Sequence, residues 1–508
     1  MSLKLSEKLS QRIRKMTAKT LPLAPQLAQS DDALEQETIE RWMKLDEQEL
    51  TSISHIKRFT EYYEADPEFR KNVAIAPEQT VAQYNLKIPL AEIRWLWDAE
   101  FVKSQQSQDI PFPIALQRFI DYEKARERYF FRWRNNMPDS DPRFQAWRDR
   151  QIARGDSEIR KSHNAQILHA PVAFELTKGC SVGCSFCGIS APRFSDIFTY
   201  TAENAQLWRE VLEVIKEICG PAAGTGFCYW ATDPLDNPDY EQFVSDFQAI
   251  LGAIPQMTTA QPMKYPARVR SLLKFSDSQG FSYHRFSILS LKILQNVYAE
   301  FSPEDLIRVG LVMQNKESLM NKAVAGRSWE KQNKAGEASD ELAQSTIACV
   351  TGFLFNMVER SVKLISPCKA DDRWPNGYRV YARGNFETAN DLKVLLERMI
   401  TQQMPLEIRA DENLRFRRDL KHENLDDGFK LSTRFLTLKF RHRPLIKELG
   451  EAILKGDKTA AEIVAEFEKL GVNATETYYS LNLMFNRGVL DDEPQPVTEI
   501  IAEHGFNG

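Results

Sequence analysis

Cysteine and histidine are scarce in this chain, seven of each among 508 residues. An odd, small set of cysteines excludes a disulfide-scaffolded secreted protein and suits a reducing compartment. An excess of one charge is also missing: 66 Lys and Arg stand against 71 Asp and Glu. That balance gives no basic surface for nucleic acid or for an anionic membrane. Long apolar runs are absent too. The longest uncharged stretch, QSTIACVTGFLFNMV at 344–358, is too short and too polar to cross a bilayer. The opening MSLKLSEKLSQRIRKMTAK has no continuous apolar core, so it reads as a surface helix or an unstructured leader, not a secretory signal. A cytoplasmic protein is expected, with no membrane and no nucleic acid among its partners. Its apolar fraction, 43%, is ample for sizeable cores, and its length suits about three domains.

Distinct patterns follow one another along the chain. Residues 1–52 form a polar segment. Residues 53–165 read as a helical N-terminal domain. SHIKRFTEYYEADPEFRKNV spaces Ile56, Phe59, Tyr62 and Tyr63 helically, and Asp66-Pro67 ends one helix and starts the next. PLAEIRWLWDAEF and ALQRFIDYEKARERYFFRWRNN predict two more helices. Over 166–400 six apolar segments, VAFEL, GFCYWA, QMTTA, HRFSILS, IRVGLVMQ and VKLISP, alternate mostly with helical ones. That alternation predicts an α/β fold with a parallel barrel or open sheet. A polar insertion at 315–341 reads equally as a surface loop or a lid. Residues 404–508 predict three strands, LRFRRDL, GFKLST and LTLKF, then three helices, a winged-helix-like domain.

The chemistry is concentrated in ELTKGCSVGCSFCGIS, residues 175–190, where Cys180, Cys184 and Cys187 crowd together after the first strand. Three thiolates hold three corners of a four-iron cluster and leave one iron open for a ligand. Gly179 and Gly183 let the loop wrap tightly. The alternative is a zinc site completed by His163, His169 or His284, although zinc knuckles usually come as paired Cys-x2-Cys and there is one such pair here.

Cys-x3-Cys-x2-Cys with Phe186 before the last cysteine resembles the signature of the radical S-adenosylmethionine enzymes. The resemblance implies a partial (β/α)6 barrel, one [4Fe-4S] cluster on Cys180, Cys184 and Cys187, and S-adenosylmethionine on the open iron. It also implies an electron donor such as flavodoxin or ferredoxin. Where that family usually has Gly-Gly-Glu-Pro, this chain reads Ala231-Thr232-Asp233-Pro234, a departure. Thr232, Asp233, Ser287 and Gln314 fall at positions that face the cofactor in such barrels.

LISPCKADDRWPNGY, with the cysteine triplet and YWATDPLDNPDY, further resembles radical peptide epimerases that mature ribosomal peptides of the proteusin type. The likeness runs from about residue 53 onward. It implies that L-residues of a precursor peptide become D-residues, with Cys368 giving the hydrogen atom. Cys368 follows VKLISP and precedes Lys369, Asp371 and Asp372, so it is expected at the barrel mouth, outside a dry core. Cys228 and Cys349 are the fallback donors. No cysteine follows Cys368, which leaves no cysteine-rich extension for further clusters. Residues 404–508 resemble domains that bind the leader of such precursors, with LTLKF as the receiving edge and ATETYYSLNLMF as the opposite wall. The N-terminal helices are a rival leader site. The other readings are a different single-cluster radical reaction on a peptide (decarboxylation, cleavage or carbon–carbon bond formation) and a non-catalytic peptide- or DNA-binding module. Arg487 is the one basic residue of the last helix, against Glu476, and disfavours DNA.

Overall fold

The computed structural model describes residues 37–138, 140–320, 322–335, 346–493 and 497–501. The amphipathic opening at 1–19 and residues 321 and 336–341 of the insertion lie outside them. The described chain divides into two compact units. One takes the described residues of Met1–Trp133 with Asp233–Leu235 and Ala253–Lys322; the other takes Arg134–Thr232, Asp236–Gly252 and the described residues of Ala323–Gly508.

The first unit is largely helical. Glu47–Ala65 is followed at once by Pro67–Ile75, and the Asp66 carboxylate accepts from the amides of Glu68 and Phe69. Ile56, Phe59, Phe69 and Val73 share one core with Trp95 and Leu96. PLAEIRWLWDAEF is broken into Leu90–Ile93 and Ala99–Ser107, because Asp98 caps the second piece through the amide of Phe101. The same unit holds a three-stranded parallel sheet of Thr258–Thr259, His284–Ile288 and Val309–Met313.

In the second unit β1 (Ala170–Glu175) is buried along nearly its whole length. It pairs in parallel with β2 (Val350–Asn356), Glu175 opposite Asn356. β3 (Ser361–Pro367) runs antiparallel to β2, and β4 (Tyr378–Asn385) antiparallel to β3. The two-residue strand Thr498–Glu499 closes the outer edge of β4, with Arg383 paired to Glu499. GFCYWA contributes a single bridge, Phe227 to Ala173. The helices Ala202–Cys219 and Tyr240–Leu251 are joined where Trp208 Nε1 donates to Phe243 O at 3.1 Å.

The fold is a mixed α/β one, but the described residues do not form one six-stranded parallel sheet. VKLISP is β3, the middle of an antiparallel meander. A tight turn with Arg360 at φ +47° reverses the chain after β2. β2 itself, VTGFLFN, carries no alternation to mark it, as is usual for a strand buried on both faces. This corrects the place of Cys368. Ala170 pairs with Val350, and Ile365 with Gly352. Cys368, just past β3, is therefore level with the beginnings of β1 and β2 and not with their ends.

Toward the C-terminus β5 (Lys421–Leu425), β6 (Gly428–Ser432) and β7 (Thr437–Arg441) form an antiparallel sheet in that order. The helices Ile446–Lys455, Ala460–Lys469 and Ala474–Asn486 follow. The last two strands are those expected. The first is KHENL, since Asp426-Asp427 makes a two-residue turn that sets Leu425 against Gly428. LRFRRDL instead holds buried Arg417, which donates to Gly488 O and Ser157 Oγ and pairs with Asp419.

Candidate active site

The cysteine loop leaves β1 and returns on itself. Gly179 adopts φ +80°, and a Cβ there would stand 2.3 Å from Arg193 O where the two arms cross. Cys180 N donates to Pro192 O at 3.0 Å, and Phe194 N to Cys180 O at 3.3 Å. Asp236 holds Ser181 through both its amide (2.8 Å) and its hydroxyl (2.5 Å). Cys180, Cys184 and Cys187 are each partly exposed, and Phe186 is 37% exposed. Ala191 N donates to Cys187 Sγ at 3.4 Å.

This donor set fits a sulfur-ligated cluster by its chemistry: three soft ligands on one loop and a backbone amide already directed at one sulfur. As the loop stands, no three His, Cys, Asp or Glu side chains among the described residues are gathered to hold a metal ion. Binding requires the cysteine side chains to turn toward a common centre. Two of the three histidines offered for zinc are engaged elsewhere. His169 is committed to Thr351 Oγ1 (2.8 Å) and Asn164 Oδ1 (3.1 Å). His284, in the other unit, is committed to Met257 N (3.1 Å) and Ser276 Oγ (2.9 Å).

Beside the loop, Glu175 ties three segments together. Its Oε1 accepts from Ala231 N at 2.9 Å and its Oε2 from Asn356 Nδ2 at 2.9 Å. Burial raises its pKa, while these two donors pull the other way. Glu175 thus anchors the Ala231-Thr232 turn to the ends of β1 and β2. Sequence reading missed it; its one signal is an acid ending an apolar strand. The other expected cofactor contacts are divided. Phe186 and half-buried Thr232 belong to the second unit, and Asp233, Ser287 and Gln314 to the first. The Asp233 carboxylate is taken up locally, accepting from Thr259 Oγ1 (2.9 Å), Ala260 N (2.8 Å) and Leu235 N (3.1 Å). Ser287 pairs with Val312, and Gln314 N donates to Ile288 O at 2.8 Å.

Cys368 is 0% exposed, which corrects the expectation that polar neighbours keep it out of a dry interior. Asp371 turns its carboxylate to the amides of Arg373 and Trp374 instead. Burial pushes the Cys368 thiol up, with Arg379 opposing and Glu158 adding to the shift. The thiol is therefore neutral at pH 7. Short contacts still link it to the cysteine loop. Cys368 N donates to Gly377 O at 2.9 Å. Gly377 lies against Ala325 and Thr346, and a Cβ on Gly326 would meet Cys187 O at 2.5 Å.

A buried ion network surrounds this thiol. Glu158 pairs with Arg379 and Arg154, and both arginines also reach Glu493. Burial alone would raise the Glu158 pKa, but Arg379 and Arg154 hold it down to about 2. A depressed carboxylate contributes stability above its unfolded pKa and loses it as pH falls through the folded value. Between pH 4.5 and 2 the protein should therefore lose about 3 kcal/mol from this group. Glu158→Gln should flatten that part of the melting-temperature profile and cost about 3–5 kcal/mol at pH 7, because it strands a buried arginine. An unchanged acid limb in the variant would assign the loss to other groups.

At the far end, β7 is an outer strand of its sheet. A cavity of about 250 Å³ opens between it and the helix Ala474–Asn486. Leu438, Phe440, Leu483 and Met484 supply its apolar lining, and Lys439 and Arg487 supply positive charge. LTLKF and ATETYYSLNLMF thus both line this cavity.

No protein-family model matches the chain. It is 37% identical over 454 residues to the uncharacterized protein y4wI of Sinorhizobium fredii, an alignment that covers 87% of this chain and 88% of the relative. The chain belongs to the y4wI family. That family name carries no activity, so the chemistry has to come from the residues. Among solved structures, BtrN in complex with AdoMet and 2-DOIA gives a TM-score of 0.23 at 16% identity. That match spans 29% of this y4wI-family chain and 56% of BtrN, and it is too slight to bear on the fold.

Proposed function

We propose that this protein is a radical S-adenosylmethionine enzyme that converts L-residues of a ribosomally made precursor peptide into D-residues. The observation that carries the reading is the triplet Cys180, Cys184 and Cys187 on a tightly crossed loop leaving a buried strand. One [4Fe-4S] cluster on those cysteines, with S-adenosylmethionine, would supply the radical that removes a Cα hydrogen; flavodoxin or ferredoxin would supply the electron. Cys368, a neutral thiol tied to the same loop through Gly377 and Gly326, is the proposed hydrogen-atom donor. The deciding experiment incubates the anaerobically reconstituted enzyme, S-adenosylmethionine and the peptide in heavy water. A gain of about one mass unit per inverted residue, with D-residues found by chiral analysis of the hydrolysate, supports epimerisation. Loss of two hydrogens would favour another radical reaction on the peptide. Iron-free protein holding one zinc would end the enzyme reading.

The groove beside β7 is the proposed leader site, with an extended peptide adding to the outer strand. Deleting 404–508 is a poor test, because Arg417–Ser157, Arg154–Asp492 and Arg379–Glu493 would be lost with it. Leu483, 37% exposed, is a better target. Leu483→Asp should weaken precursor binding about tenfold or more in fluorescence anisotropy with the melting temperature unchanged. Undiminished affinity would move recognition to the N-terminal helices.

A further inference from the structure

Arg327 opens the helix Gly326–Ala335, within the polar insertion that precedes β2. Its backbone N–H donates to Cys187 O at 2.9 Å and its Nη1 to Cys184 O at 2.9 Å, and its Nη2 donates to Ala191 O. One residue thus grips three carbonyls of the cysteine loop. Only glycine fits in front of it: Gly326 has φ +56°, and a Cβ would lie within 2.7 Å of both Cys187 O and Gly188 C. The Gly326 amide is fastened in turn to Pro375 O at 2.6 Å. Arg327 is half-buried, and among the described residues no carboxylate pairs with it. Among the described residues this half-buried guanidinium bonds only to neutral carbonyls and meets no counter-charge. Three thiolates carrying an iron–sulfur cluster would bring one.

We infer that Arg327 is the positioning residue of the cluster loop and the charge that makes its cluster easier to reduce. The guanidinium fixes the spacing of the carbonyls between Cys184 and Ala191, and so the direction in which Cys184 and Cys187 present sulfur. Its positive charge favours the reduced, more negative cluster. The insertion is then neither a plain surface loop nor a lid at this point, but part of the wall of the site. The inference rests on the cluster reading above.

The test compares full-length wild type, Arg327→Lys and Arg327→Gln after anaerobic reconstitution. Iron per chain, the electron paramagnetic resonance spectrum and the midpoint potential are measured without any peptide. Arg327→Gln should hold less iron. Its ratio of reduced to oxidised cluster at fixed potential should fall about tenfold, about 59 mV for a one-electron couple. Arg327→Lys should recover the potential but not the wild-type spectrum, since a point charge cannot bridge two carbonyls. Wild-type iron content and potential in Arg327→Gln would overturn the inference while leaving the cluster intact. Wild type that binds no iron would instead overturn the cluster reading itself. If Arg327→Gln does not fold, a wild-type spectrum in Arg327→Lys overturns the positioning role.

Discussion

Alanine at Cys180, Cys184 and Cys187 together should abolish iron binding and S-adenosylmethionine cleavage, and each single replacement should come close to the same loss. A site-differentiated cluster needs all three sulfurs, one for each of three irons. The fold should survive. The three cysteines are partly exposed, and the loop is held by bonds that alanine keeps: Cys180 N to Pro192 O, Phe194 N to Cys180 O, and Arg327 to the carbonyls of Cys184 and Cys187. Iron and labile sulfide assays, with 5′-deoxyadenosine quantified by chromatography, read the outcome. Full iron content in the triple variant would show that the cluster sits elsewhere. Zinc in the wild type, lost in the variant, would make the loop structural.

Cys368→Ala should separate abstraction from repair. The variant should still form 5′-deoxyadenosine when peptide is present, yet make few or no D-residues, because the carbon radical meets no thiol. Burial keeps that thiol protonated, as a hydrogen-atom donor must be. It also seals it from solvent, so the thiol has to be uncovered before it reaches a substrate. The segment between Asp371 and Gly377 is the element to watch, since it packs on Cys368 through Gly377 and on the insertion through Pro375. Normal D-residue formation in Cys368→Ala would move the role to Cys349, which is partly exposed just before β2, and then to buried Cys228.

Local chemistry was readable from the sequence where it is local. Asp66-Pro67 marked a helix junction, and the cysteine spacing marked the loop. What escaped depended on partners distant in the chain. VKLISP reads the same whether its neighbour is parallel or antiparallel, and only its pairing with β2 decides which end of the sheet Cys368 joins. β2 lacks clear alternation because the interior covers it. Glu175 and Arg327 are ordinary residues until the ends of three segments, or three loop carbonyls, converge on them.

The short strand Thr498–Glu499 has a practical bearing on how the protein is handled. It caps β4 with two residues, Ile500 N donates to Arg383 O at 2.9 Å, and Gly384 leaves room for Ile500 O to pass close by. A chain cut ahead of Thr498 would present β4 as a bare, bond-hungry border on which a second molecule could stack. Truncation there invites precipitation during purification, and a bulky affinity tag fused just after Ile501 would crowd the same seam.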